Sequence, residues 1–297
     1  MKKKVIFSTS GAGSVGKTMI SGFFVDQARN RLGISMEAYL CDLKETHDAL
    51  YKRYGQRDSK GKLVPLNVQK ALNGVQPLDL FMQASGSQTD TSEIESQRKE
   101  LAQKFAQALE SDADTILFDM PATHFADIYT KVFASIDEFA NALDFSDRDI
   151  YIIMPFADEK SLSSISAIYK DTKDIANIKY VVVLNKGKFD TANRIDAESY
   201  YNSNVYKELA KQQDKYRELV LPTLKSETIN ALDEHHVSHF NDYNTATVIK
   251  EHVKPLKGGM LVNQDLINLL KGVKHNNANG ETINAKLLDD ITDILGE

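Results

Sequence analysis

The chain of 297 residues holds a single cysteine, Cys41, so no disulfide can form within it, and a reducing compartment suits it. The expected role of Cys41 is that of a small buried residue at the end of a strand. No run approaches the ~18 apolar residues that a membrane-spanning helix needs. Lys2-Lys3-Lys4 precedes an apolar run too short for a secretory leader, so a cytoplasmic location is the expectation. Positive charge is not in excess: 36 Lys and Arg stand against 42 Asp and Glu, a net charge of −6. That balance excludes a polycation built to coat DNA, though not a local basic patch. Internal repeats and low-complexity tracts are also missing, which sets aside repeat architectures. What remains, at 42% hydrophobic and 26% charged residues, is a globular chain. It is long enough for one large α/β domain, alone or with a helical appendage.

The stretch that stands out is Gly11-Ala12-Gly13-Ser14-Val15-Gly16-Lys17-Thr18. It follows a short apolar run, Lys4 to Ser10, that reads as a strand, and precedes a helical run, Met19 to Arg29. Strand, glycine-rich turn, Gly-Lys-Thr and helix is the setting of the phosphate-binding pattern G-x-x-x-x-G-K-[ST]. Gly11, Gly13, Ser14, Val15, Gly16 and the adjoining Met19 then offer backbone amides to phosphate, as an anion nest at a helix N-terminus. Lys17 supplies a point charge for the β/γ-phosphates, and the Thr18 hydroxyl a ligand for Mg²⁺.

Further apolar runs read as strands: Met36–Asp42, Leu78–Met82, Thr115–Asp119, Asp149–Pro155, Ile178–Asn185 and Glu218–Pro222. Helical patterns separate them at Glu45–Tyr54, Val68–Leu72, Glu93–Leu109, Phe125–Leu143, Lys160–Ile168 and Ser203–Lys215. Four more are expected near the C-terminus, around Glu227–Asp233, Val248–Val253, Gln264–Leu270 and Thr282–Leu295. Strands apolar throughout, alternating with helices, predict an α/β fold: a three-layer, doubly wound, mostly parallel sheet of the P-loop NTPase type. Residues 1–235 are expected to form the nucleotide-binding domain. Residues 236–297 are expected to form a helical C-terminal extension packed on it.

In such a fold the strand ends gather around Lys17 and Thr18. Asp42 and Asp119 close two strands, where an acid can hold Mg²⁺ or orient water; a helix cap or a surface charge is the plain alternative for each. The P-loop, Asp42 and Asp119-Met120-Pro121-Ala122 together resemble the ParA/MinD group of P-loop ATPases. The resemblance runs over roughly residues 3 to 235 and implies ATP and Mg²⁺ as cofactors, ATP-dependent dimers, a protein partner and a role in positioning plasmids or other cargo. Some members, such as the TraL and StbB proteins, serve conjugative plasmids. It implies that Asn185 contacts the adenine base and that Pro222 lies near it. Two positions depart from the group. Ala12 stands where the group has a lysine that reaches the partner's phosphates across the dimer. Lys44 stands where the group has a second Asp that assists hydrolysis, and Glu45 or His47 could replace that acid. Lys44 either supplies the phosphate-directed charge that Ala12 lacks or points to solvent.

Asn185-Lys186-Gly187-Lys188 lacks the acid of the guanine-reading N-K-x-D pattern, which favours ATP. His235, His236 and His239 do not have the helix-borne H-E-x-x-H metal spacing. Lys170, Lys173, Lys179, Lys186 and Lys188 form a loose basic set, either a non-specific DNA contact or scattered surface charge. Ile283, Leu287, Leu288, Ile291, Ile294 and Leu295 make an apolar helix face for packing on the domain or for a partner. Three functions remain open: an ATP-driven ParA/MinD-like switch, a small-molecule ATP-dependent ligase of the dethiobiotin-synthetase type, and a nucleotide-binding scaffold with little hydrolysis.

Overall fold

A computed structural model describes residues 2–41, 49–78, 91–122, 125–133, 135–234 and 259–297. Seven strands form one sheet: β1 (Lys4–Ser8), β2 (Met36–Leu40), β3 (Gln76–Pro77), β4 (Thr115–Asp119), β5 (Asp149–Phe156), β6 (Ile178–Asn185) and β7 (Tyr216–Leu221). Their order is β3-β2-β4-β1-β5-β6-β7, and every pairing is parallel. Alternate residues of each strand serve opposite faces. On one face Phe7 and Phe118 stack at 5.2 Å. The helices α3 (Thr91–Leu109), α4 (Ile136–Phe145) and α5 (Glu159–Thr172) cover that face, with Phe105, Phe139 and Ile165 in its core. On the other face Ile6, Tyr151 and Val181 lie under α1 (Lys17–Asp26), α9 (Gly259–Lys271) and α10 (Leu287–Gly296). The crossover leaving β1 therefore uses one face and those leaving β4 and β5 the other. Their C-terminal ends open a crevice, the usual ligand position of a doubly wound sheet.

The strands at β4 and β6 fall where the apolar runs predict them. Helices differ more. The stretch expected to be one helix over Phe125–Leu143 breaks: a wide π-type turn at Ile128–Val132 is followed by an extended Phe133. The Ser135 hydroxyl then accepts the Glu138 N–H at 3.2 Å and starts α4 afresh. Ser203–Lys215 is likewise not one helix. Asp196 caps α6 (Ala197–Tyr201), Ser203 caps α7 (Asn204–Leu209), and a turn leads into β7. Val68–Leu72 is replaced by a single tight turn at Leu66–Val68. β3 ends at Pro77; residues 79–82 of the expected Leu78–Met82 strand, and the expected Val248–Val253 helix, lie outside the described residues. After β7, α8 (Ser226–Glu234) follows, and α2 (Ala49–Tyr54) packs on α1.

The C-terminal segment holds a hairpin that periodicity did not reveal. β8 (Val273–Asn276) and β9 (Thr282–Ala285) pair antiparallel around Asn279-Gly280, where Gly280 has φ 77°. Ile283 therefore sits on β9, 42% exposed, and not on the apolar face of the last helix. Leu287, Leu288, Ile291, Ile294 and Leu295 do form that face and are buried against the sheet. Lys4 of β1, fully buried, donates its ammonium to the Leu295 carbonyl at 3.1 Å, at the negative end of α10. Among the described residues no helix is long and apolar enough to cross a membrane.

On α10, burial, with Asp293 and Asp289 alongside, pushes the Asp290 carboxyl up to about 6. Folding thus favours its protonated form. The site stabilises the fold fully below about pH 4, and that contribution is lost as pH rises through the folded value. Asp290→Asn should therefore raise the melting temperature at neutral pH, with the gain vanishing near pH ~4, as thermal unfolding across that range would measure.

Candidate functional site: the loop after β1

The loop between β1 and α1 is held from outside. Its tip, Gly13-Ser14, is exposed, and Ala12, Val15 and Lys17 are buried. Ser14 and Gly16 take left-handed φ values of 59° and 102°. Such turns direct successive N–H groups inward. Gly11 N–H donates to the Ser164 hydroxyl of α5 at 2.7 Å, and Ala12 N–H to the Ser10 hydroxyl at 3.1 Å. Among the described residues no hydrogen bond takes up the N–H groups of Gly13, Ser14, Val15 or Gly16. Lys17 arches back to donate to the Ala12 carbonyl at 3.2 Å.

Asn185, closing β6, supports the other side. Its carboxamide donates to the Val15 carbonyl at 2.8 Å and accepts the Gly187 N–H at 3.2 Å. A Cβ on residue 16 would lie 2.7 Å from that carboxamide nitrogen. Gly16 is thus required both by its φ and by this approach. Asn185 pairs in register with Leu221, which brings Pro222 alongside. Gly16, Met19, Asn185, Pro222, Leu224 and Ile229 line a mostly apolar slot of about 70 Å³ beside the loop.

Asp119 ends β4 directly beside Ser8 of β1. It is 2% exposed. Its Oδ2 accepts from the Thr18 hydroxyl at 2.9 Å and its Oδ1 from the Ser21 hydroxyl at 2.7 Å. Each oxygen of this buried carboxyl group thus has a hydroxyl partner, as buried polar atoms require. Thr18 and Asp119 offer hard oxygen donors side by side, next to amides without partners. That set fits Mg²⁺, which takes few protein oxygens and keeps waters or phosphate for the rest.

The structure thus brings together Gly11, Gly13, Ser14, Val15, Gly16, Lys17, Thr18, Met19, Asp119, Asn185 and Pro222. Asp42, Lys44, Glu45, His47 and the histidines at 235, 236 and 239 lie outside the described residues. Cys41 is buried, as expected, and its N–H donates to the Asp119 carbonyl at 3.0 Å. The five lysines do not form one patch. Lys179 lies near the start of β6 and Lys186 just past its end, roughly 23 Å apart at strand rise. Lys179 is bound to Asp149 and Tyr151, and Lys186 to the Lys274 carbonyl. Sequence reasoning missed Ser21 and Ser164. Ser21 lies three residues past Thr18, on the same helix face, and could have been read from that spacing. Ser164 is a purely tertiary contact.

A larger groove of about 270 Å³ lies at the opposite strand ends, between α3 and α4. Arg148 in it donates to the Ala113 and Ser111 carbonyls, and Lys3 pairs with Asp112. Its walls are mainly apolar and assemble no reactive set among the described residues.

The chain is similar to solved ParA- and MinD-type ATPases. A ParA family ATPase from Chlorobium tepidum is 14% identical, with 90% of this chain and 98% of that one covered at a TM-score of 0.46. MinD from Pyrococcus horikoshii, solved with Mg-ADP, is 15% identical, with 90% and 93% covered at 0.43. A plasmid partition protein from Borrelia burgdorferi bound to AMPPNP is 14% identical, with 82% and 99% covered at 0.40. No protein-family model and no curated protein sequence matches the chain.

Asn185→Asp keeps the shape but replaces the donor to Val15 with a carboxylate oxygen. It should destabilise the protein by about 1–3 kcal/mol in urea unfolding at alkaline pH. The loss should shrink toward pH ~5, where a protonated acid can donate again.

Proposed function

We propose that the chain is an ATP- and Mg²⁺-dependent switch of the ParA/MinD type, acting in plasmid or DNA partition, transfer or intracellular positioning. The observation that carries the nucleotide part is the loop after β1. It offers four amides that have no partner among the described residues, an ammonium within the same loop, and the Thr18–Asp119 oxygen pair at 2.9 Å. The cargo part rests on the motif resemblance alone.

Each residue then has a distinct task. The amides of Gly13 to Gly16 would cradle phosphate oxygens, and Lys17 would turn from the Ala12 carbonyl to the β/γ-phosphates. Thr18 and Asp119 would hold Mg²⁺, which when bound neutralises charge on those phosphates. The slot at Met19, Pro222 and Ile229 would take the base. Asn185 would act there chiefly by fixing the loop, because its carboxamide already bridges Val15 and Gly187. Asp42 and Lys44 are proposed for water orientation and phosphate charge on sequence grounds. Binding and loss of the γ-phosphate would move the protein between the two states of the switch. A dimer and a protein partner belong to the same reading.

One observation favours the ligase reading as the second choice. Ala12 is 1% exposed and packs with Val15 and Ala157. The loop surface that carries a lysine in the ParA/MinD group is here closed within one chain. Stimulation of ATP turnover by DNA or a protein partner supports the switch; stimulation by a small metabolite supports the ligase.

Lys17→Ala should weaken ATP binding roughly 100-fold or more in a fluorescence or calorimetric titration. Asp119→Asn should retain nucleotide in EDTA and lose the response to Mg²⁺. Unchanged ATP affinity in Lys17→Ala would refute the nucleotide site.

A further inference from the structure

The site uses one oxygen of Asp119, Oδ2, beside Thr18. The other, Oδ1, lies 2.7 Å from the hydroxyl of Ser21 one turn along α1. Ser21 is fully buried, so water does not compete for this contact. The same hydroxyl lies 3.1 Å from the Lys17 carbonyl, and a serine has only one proton to give. Ser8 resolves the choice. Its hydroxyl donates to that Lys17 carbonyl at 3.3 Å, so the carbonyl has a hydroxyl partner without Ser21. The Ser21 proton is then best placed on the carboxylate, where the bond is charge-assisted and roughly twice as strong as a neutral one.

The terminal torsion of an aspartate is soft and nearly two-fold, so which oxygen it presents depends on the donors around it. A donor on each oxygen removes that freedom. We propose that Ser21 is a positioning residue for the divalent cation. It holds Asp119 Oδ1 so that Oδ2 faces the Thr18 hydroxyl, and it sets Mg²⁺ affinity while touching neither cation nor nucleotide. This rests on the nucleotide and Mg²⁺ reading above. Partners that orient a metal's ligands in this way commonly change its affinity by ~10-fold or more.

The test is a titration of the full chain with a fluorescent ATP analogue over a range of Mg²⁺ concentrations, and again in EDTA. Ser21→Ala deletes one buried atom and introduces a better helix former, and the titration in EDTA reports whether the loop itself is kept. The expected result is a Mg²⁺ midpoint raised about tenfold, with nucleotide affinity in EDTA unchanged. A midpoint equal to that of the unaltered protein overturns the inference, and so does an equal loss of affinity with and without Mg²⁺. If the unaltered protein binds nucleotide without regard to Mg²⁺, the functional reading falls and the inference with it. If it responds and Ser21→Ala responds identically, the inference alone falls.

Discussion

A loop that binds an anion through its backbone must leave its own amides without partners, and therefore cannot hold itself together. Each such N–H, if also removed from water, costs about 1–3 kcal/mol until a ligand arrives. The shape of the loop after β1 comes instead from side chains on other elements. Ser164 of α5 takes the Gly11 amide, and Asn185 of β6 takes the Val15 carbonyl. Asp119 of β4 fixes the first turn of α1 through Thr18 and Ser21. Three strand–helix units thus meet at one short turn. The Gly11 and Ala12 N–H groups at its start are taken by side chains, while those of Gly13 to Gly16 have no partner among the described residues.

The parallel sheet makes this convergence possible. With every strand running the same way, Ser8, Asp119, Asn185 and Leu221 all fall at the same edge. The register pairs Ser8 with Asp119 and Asn185 with Leu221. A one-residue slip of β4 would turn Asp119 to the other face and bury Phe118 where the carboxylate now sits. The stacking of Phe118 on Phe7 and Phe105 opposes that slip. The apolar core and the polar site are therefore set by one register.

Much of this was legible in the sequence because its signals are local. The glycine-rich pattern lies within eight residues, and the strands at Thr115–Asp119 and Ile178–Asn185 are unbroken apolar runs. Helix boundaries were less legible where a cap competes with periodicity, as at Ser135 and Ser203. The hairpin before α10 went unread because Lys274, His275 and Asn276 give no apolar alternation. Its one signal was Asn279-Gly280. Of the site, the residues that touch one another along the motif were found. Ser164, 153 positions from its partner Gly11, could be recognised only from the folded chain.

Lys4 and Leu295 stand 291 positions apart yet share a buried contact. The opening strand sits in the middle of the sheet, flanked by β4 and β5, and one of its faces is roofed by the closing helix. On the ribosome, then, the strand that leads into the glycine-rich loop emerges long before the pieces that shelter it. Contacts of such sequence separation form slowly and leave apolar surface open in the meantime. A chain cut short before Leu287 would lose the roof over Ile6, Tyr151 and Val181. Such a fragment would be prone to aggregate even though every residue of the loop was intact.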